Sequence, residues 1–145
     1  MPPTETFRIP KHRRHVPDAR QRVRKALADW GVIGQLADSV TLLANELVTN
    51  AVTHCRVSDA RVEVTLTLHG TELVLEVADP DRDRLPRPHH SGPDEEGGRG
   101  LALVAALADS WGCRQEPYAK HVWARFSPVE AEADVPARAH VPAAL

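Results

Sequence analysis

Glu46-Leu47-Val48-Thr49-Asn50-Ala51-Val52-Thr53-His54 places an acid and an amide four residues apart. On a helix that spacing is one turn, so both side chains leave the same face. The Asn50 carbonyl oxygen could ligate a hard cation, and Mg²⁺ typically takes a few protein oxygens and completes its shell with phosphates and water. Glu46 could accept a proton from an attacking hydroxyl or water. Asp79 closes an apolar strand pattern, where it could accept a hydrogen bond from an exocyclic amine. Further on, Gly97-Gly98-Arg99-Gly100-Leu101 opens an apolar helical pattern. Glycines let backbone N–H groups approach phosphates, and a helix N-terminus favours negative charge. An acid, an amide, a lone aspartate and a glycine-rich helix start, in that order, describe a magnesium-nucleotide site.

Each of these has a plainer reading by itself. An isolated acid–amide pair on a helix is commonly solvated, and an aspartate at a strand end commonly forms a turn, with Asp81 and Asp83 available for either role. The glycine run is neither a Walker loop nor a dinucleotide fingerprint, and alone it could be a hinge.

The elements that must position these residues follow from the pattern of apolar side chains. Thr6 to Pro10 is a short strand candidate, followed by polar residues Lys11 to His15. Pro17 and Asp18 suit a helix start, Ala19, Val23, Ala26, Leu27 and Trp30 recur at helical spacing, and Gly31 stops the run. From Gly34 a second helix carries Leu36, Val40, Leu43, Leu47 and Ala51 as its apolar stripe, with Glu46 and Asn50 at the stripe's edge. Val62, Val64, Leu66 and Leu68 then alternate with polar residues, as do Leu73, Leu75 and Val77. These are two strands joined at His69-Gly70-Thr71-Glu72 into an antiparallel hairpin. Leu101, Val104, Ala105, Ala108 and Trp111 give a third helix ended by Gly112, and Cys113–Glu116 and His121–Phe126 are the last strand candidates. The connection over residues 80–97 is rich in proline and charge, and a loop that long inside one domain reads as a lid or binding loop. The expected organisation is a flexible N-terminus over 1–5, one ordered domain over 6–127, and a disordered Ala/Pro/Glu-rich tail over 128–145.

Composition excludes several classes. A chain of 145 residues can bury a real core as one domain, and its formal net charge of −2 favours neither nucleic acid nor membrane. It has no long apolar run, and Pro2, Pro3 and charged residues stand where a signal peptide would be, so the expectation is a cytoplasmic protein. Cys55 and Cys113 lack metal spacing and read as small apolar fillers. The pairs His12 with His15 and His89 with His90 lack partners at zinc spacing. His54 suits a packing or capping role at its helix end. Arg13-Arg14 and Arg20-x-Arg22-x-Arg24 make the first helix basic, which is a solvated face or a docking surface for an acidic partner.

Taken together, these residues resemble the GHKL ATPase superfamily, and within it the bacterial anti-sigma-factor serine/threonine kinase branch. The resemblance covers about Phe7 to Phe126. Glu46 to His54 is similar to the family's N box, Asp79 falls where its G1 box begins, and Gly98-Arg99-Gly100-Leu101-Ala102-Leu103 is similar to its G2 box. Trp111-Gly112 and Lys120-His121-Val122-Trp123-Ala124 resemble the small actinomycete members. The resemblance implies a Bergerat-type α+β two-layer sandwich, a mixed, mostly antiparallel sheet covered on one face by three helices, with ATP under a lid. It implies Glu46 as general base, Asn50 as the Mg²⁺ ligand, and Asp79 as the contact to the adenine amine. It also implies phosphate donors at Gly98 and Gly100, and further nucleotide contacts at Arg99, Leu101 and Lys120. Arg20 falls near an arginine that family members use against protein partners. The implied partners are a sigma factor and its antagonist protein, and the implied assembly is a homodimer.

Two departures bear on activity. The G1 box carries glycine two residues after its aspartate, and here Asp81 stands there. Ala119 precedes Lys120 where glycine is common. The first reading is an ATP-dependent kinase that phosphorylates a serine or threonine of an antagonist and sequesters a sigma factor. The second is a non-catalytic nucleotide- or partner-binding module with an altered G1 box, and the third a sensor-kinase ATPase fragment.

Overall fold

The structure is a computed structural model that describes residues 2–81 and 106–127. Strand β1 (Thr4–Pro10) leads through a 3-10 turn at Arg13–His15 into helix α1 (Val16–Asp29) and helix α2 (Gly34–His54). Strands β2 (Arg61–His69), β3 (Glu72–Asp79), β4 (Ser110–Glu116) and β5 (Ala119–Phe126) follow. The sheet order is β1-β2-β3-β5-β4. Among the described residues all four pairings are antiparallel, where a mixed, mostly antiparallel sheet was expected. The chain is thus an α+β two-layer structure, with α1 and α2 on one face of an open five-stranded sheet.

Local chemistry accounts for the element ends. Pro17 lies in the first turn of α1 and Asp18 complements its dipole. The helix stops at Gly31, whose φ of +78° is open to glycine at little cost, and the Val32 N–H then donates to the Leu27 carbonyl at 2.9 Å. In α2, Val40, Leu43, Leu47 and Ala51 are buried as their spacing predicts, and Ala44 and Val48 widen the stripe. On the sheet, Phe7, Ile9, Val62, Val64, Leu66, Leu73, Leu75, Val77, Val122, Ala124 and Phe126 are buried in the same core cluster as the helix stripes. The period of two places Asp79 and Lys120 on that helix-covered face as well.

Three further expectations change. β1 begins at Thr4, so Thr4 and Glu5, expected in a flexible N-terminus, pair with Thr67 and Leu66. The third helix was expected to run to Trp111. Ala106 and Leu107 are helical, but β4 begins at Ser110, and Trp111 and Gly112 are strand residues opposite Ala124 and Trp123. Gly112 is therefore not a helix stop. A Cβ there would lie 2.7 Å from the Trp123 ring, so the strand has room for that indole only above a glycine. Cross-strand aromatic packing overrides the helical spacing that runs into Trp111. Lastly, Cys55 is buried as a filler would be, but Cys113 is exposed. The start of the third helix, most of the 80–97 segment and residues 128–145 lie outside the described residues.

Candidate functional site

The site is organised around the C-terminal ends of α2 and β3. Asp79 is the last residue of β3 and is 4% exposed. Its Oδ1 accepts the Asp81 backbone N–H at 2.8 Å, and the Lys120 ammonium lies 3.6 Å from its Oδ2. Lys120 is its direct partner in the β3–β5 register. Burial raises the Asp79 carboxyl above its ordinary pKa, and the positive charge of Lys120 is the largest influence opposing that rise. A carboxylate held this way keeps lone pairs to accept a further N–H, such as that of an amine.

Asp81, two residues on, is also buried. Arg56 grips it with a fork: Nε donates to Oδ2 at 2.9 Å and Nη2 to Oδ1 at 2.9 Å, while the Arg56 backbone N–H donates to Oδ2 at 2.8 Å. These hydrogen bonds hold the Asp81 carboxyl well below the usual carboxylate range despite its burial. Arg56 sits just past α2. Its segment is tied down further by Lys11, whose Nζ donates to the carbonyls of Cys55 at 3.2 Å and Val57 at 2.8 Å. The ends of α2 and β3 are thereby joined by a buried, fully hydrogen-bonded carboxylate.

Glu46 and Asn50 lie one turn apart on α2, both half-buried beside the buried Leu47, Val48 and Ala51. Arg20 projects from α1 onto the same helix, and its Nη1 donates to the Asn45 side-chain oxygen at 2.8 Å. The residue expected at a partner surface is thus half-buried and bonded to the neighbour of Glu46. Gly98, Arg99, Gly100 and Leu101 lie outside the described residues. Arg56, Lys11 and Asn45 carry the local geometry but have no motif. Asp81 was visible as an oddity, yet nothing in its spacing points to an arginine 25 residues upstream.

Among the described residues no three His, Cys, Asp or Glu side chains gather into a metal site. Asn50 offers one hard oxygen donor on a half-buried helix face, the kind of single protein ligand that Mg²⁺ takes when phosphates and water fill the rest of its shell. His12 and His15 serve local structure: His12 Nδ1 accepts the Arg14 N–H at 3.1 Å, and His15 lies 3.6 Å from Asp18. No described helix is long and apolar enough to cross a membrane.

Comparison with known proteins agrees with this geometry. The family described as the histidine kinase-like ATPase domain matches residues 9–126. Among solved structures, the crystal structure of the RsbU and RsbW domains of Rv1364c from Mycobacterium tuberculosis superposes with a TM-score of 0.62 at 18% identity. That match covers 86% of this chain and 32% of the other, so this chain spans about a third of that neighbour's length. No curated protein matches the chain.

Proposed function

The chain belongs to the histidine kinase-like ATPase domain family, and on that premise we propose that it binds Mg-ATP and phosphorylates a serine or threonine of a small antagonist protein, in the manner of an anti-sigma-factor kinase. The observation that carries this reading is Asp79. It is a buried acid at a strand end, oriented by the Asp81 N–H and Lys120, on the sheet face that packs against the helix bearing Glu46 and Asn50. The likeness to a chain containing an RsbW domain supports the same direction.

In this reading Asp79 accepts the adenine amine. Asn50 would hold Mg²⁺, which when bound would supply positive charge against the phosphates. The substrate hydroxyl oxygen attacks the γ-phosphorus, its proton passes to the Glu46 carboxylate, the bond to the β-phosphate oxygen breaks, and ADP leaves. Positioning and electrostatics supply most of the acceleration in such a transfer. Gly98, Arg99, Gly100 and Leu101 would meet the phosphates, Lys120 would stay beside Asp79, and Arg20 would lie at the partner surface. A sigma factor and its antagonist are the proposed partners, in the cytoplasm. Among the described residues β1 is an edge strand of the sheet, and pairing of two copies there would give the expected homodimer.

A second reading, a binding module without catalysis, draws on Asp81 in place of the G1 glycine. One experiment separates the two. Calorimetry with Mg-ATP measures binding, and intact-mass spectrometry of the antagonist measures transfer. Saturable binding with a mass gain of one phosphoryl group supports the kinase. Binding of nucleotide and antagonist together without transfer supports the module. No binding at millimolar ATP rejects both nucleotide readings.

A further inference from the structure

The Arg56–Asp81 fork has no counterpart in the glycine that the G1 box otherwise carries. Glycine at position 81 would supply the same backbone N–H to Asp79, but on a freely rotating backbone. Here Pro80 fixes φ of the intervening residue, and the buried Asp81 side chain is gripped by three donors of Arg56. The Arg56 segment is in turn secured by Lys11 on two carbonyls. The orientation of the Asp81 N–H, which bonds Asp79 Oδ1 at 2.8 Å, is therefore set from the end of α2.

We propose that Arg56 and Asp81 are positioning residues for purine recognition: their fork aims the Asp79 carboxylate at the 6-amino edge of the bound nucleotide, replacing backbone freedom at position 81 by a fixed ion pair. The proposal rests on the nucleotide reading above and adds a specificity device to it. The contact joins Arg56, just past the end of the helix that carries Asn50, to Asp81, two residues past the end of β3. Loss of the fork therefore frees the Asp81 N–H that bonds Asp79, while Asp79 itself and its partner Lys120 are left in place. A pocket built to hydrogen-bond an amine discriminates strongly against an analogue without it, but only while the acceptor is held in place.

The test uses the full chain and two ligands, Mg-ATP and the Mg complex of purine riboside triphosphate, which lacks the 6-amino group. Wild type is expected to prefer ATP, and Arg56→Ala is expected to reduce that preference about tenfold, a shift of one hydrogen bond's worth in affinity. Asp81→Asn keeps the side-chain shape and guards against a folding failure of the first variant, and it is expected to lose part of the preference. Arg56→Lys is expected to recover part of it. A merely structural role would weaken both ligands equally and leave their ratio unchanged, and that result overturns the proposal. Wild type that binds neither triphosphate overturns the nucleotide reading and the proposal with it. Wild type that prefers ATP, together with an equally selective Arg56→Ala, overturns the positioning role alone.

Discussion

Lys120 stands directly opposite Asp79 across the β3–β5 ladder, with its ammonium 3.6 Å from the Asp79 carboxylate, and both side chains are buried. A buried charge without its partner costs far more than the pair contributes. Lys120→Met should therefore destabilise the fold at neutral pH by about 3 kcal/mol. It should also drive the Asp79 carboxyl further above its ordinary value, because Lys120 is the main influence opposing burial. The sign follows from linkage. A carboxyl raised in the folded state contributes stability below its unfolded pKa of about 3.9 and loses it as pH rises through the folded value. The variant should thus lose stability relative to wild type as pH rises from acid to neutral. Urea midpoints across that range, with carboxyl NMR of Asp79, check both statements.

Gly112 tests the sheet itself. The Trp123 ring occupies the space where a Cβ on Gly112 would lie, at 2.7 Å. Gly112→Ala should displace the indole and cost about 1–3 kcal/mol, as overpacking does. The Trp123→Ala background should absorb most of that cost. A Gly112→Ala chain as stable as wild type, with Trp123 intact, would show that the indole does not sit there.

Much of this arrangement is legible in the sequence. The period of two through Leu73, Leu75 and Val77 put Asp79 on the buried face, and the stripe through Leu43, Leu47 and Ala51 put Glu46 and Asn50 at its edge. Those signals are local, and local periodicity survives folding. The end of the third helix is not legible in the sequence, because Trp111 continues a helical spacing while its environment is set by strand β5, which follows it in the chain. The Arg56–Asp81 and Arg20–Asn45 contacts each join residues 25 positions apart, and no pattern of residue types encodes such a pairing. Gly98 to Leu101, legible as a glycine-rich helix start, lie outside the described residues.

Arg20 is bonded to Asn45 rather than free on the α1 surface, so two roles for it can be separated. As a partner contact, it should lose antagonist or sigma affinity when changed to Ala, with a stability cost of about 1 kcal/mol for the missing hydrogen bond. Asn45→Ala should carry a similar stability cost yet leave partner affinity nearly intact, since Arg20 remains. If Asn45→Ala weakens the partner as much as Arg20→Ala, Arg20 acts through α2 and not by contact. Surface plasmon resonance with the purified partner decides between these.

Asp81 gives a pH signature of the opposite sign to Asp79. Its carboxyl is held well below the usual range by Arg56. The stabilisation is therefore fully present above the unfolded value of about 3.9 and is lost as pH falls through the folded value. Asp81→Asn should cost about 1.5–3 kcal/mol at pH 7, the range for hydrogen bonds to a charged group. The gap between variant and wild type should close in strong acid. A gap that stays constant from neutral pH to pH 2 would mean that the fork contributes nothing through its charge.

Glu46 separates kinase from binding module. It lies one turn before Asn50 on α2, half-buried, on a helix whose other face is anchored in the core. Glu46→Gln keeps size and polarity and removes only the proton acceptor, so the helix and its packing should be unchanged. A general base acts on the chemical step, and its loss typically lowers turnover by about 10²–10⁴-fold while ground-state binding persists. Glu46→Gln should therefore bind Mg-ATP and the antagonist with wild-type affinity and fail to phosphorylate it. If Asn50 is the Mg²⁺ ligand proposed above, Asn50→Ala should instead lose affinity for Mg-ATP as well as turnover, because such a ligand serves both binding and chemistry. The assay follows the intact mass of the proposed antagonist. Equal transfer rates for Glu46→Gln and wild type would remove Glu46 from the mechanism. Loss of nucleotide affinity in Glu46→Gln would move it from base to binding group, next to Asn50.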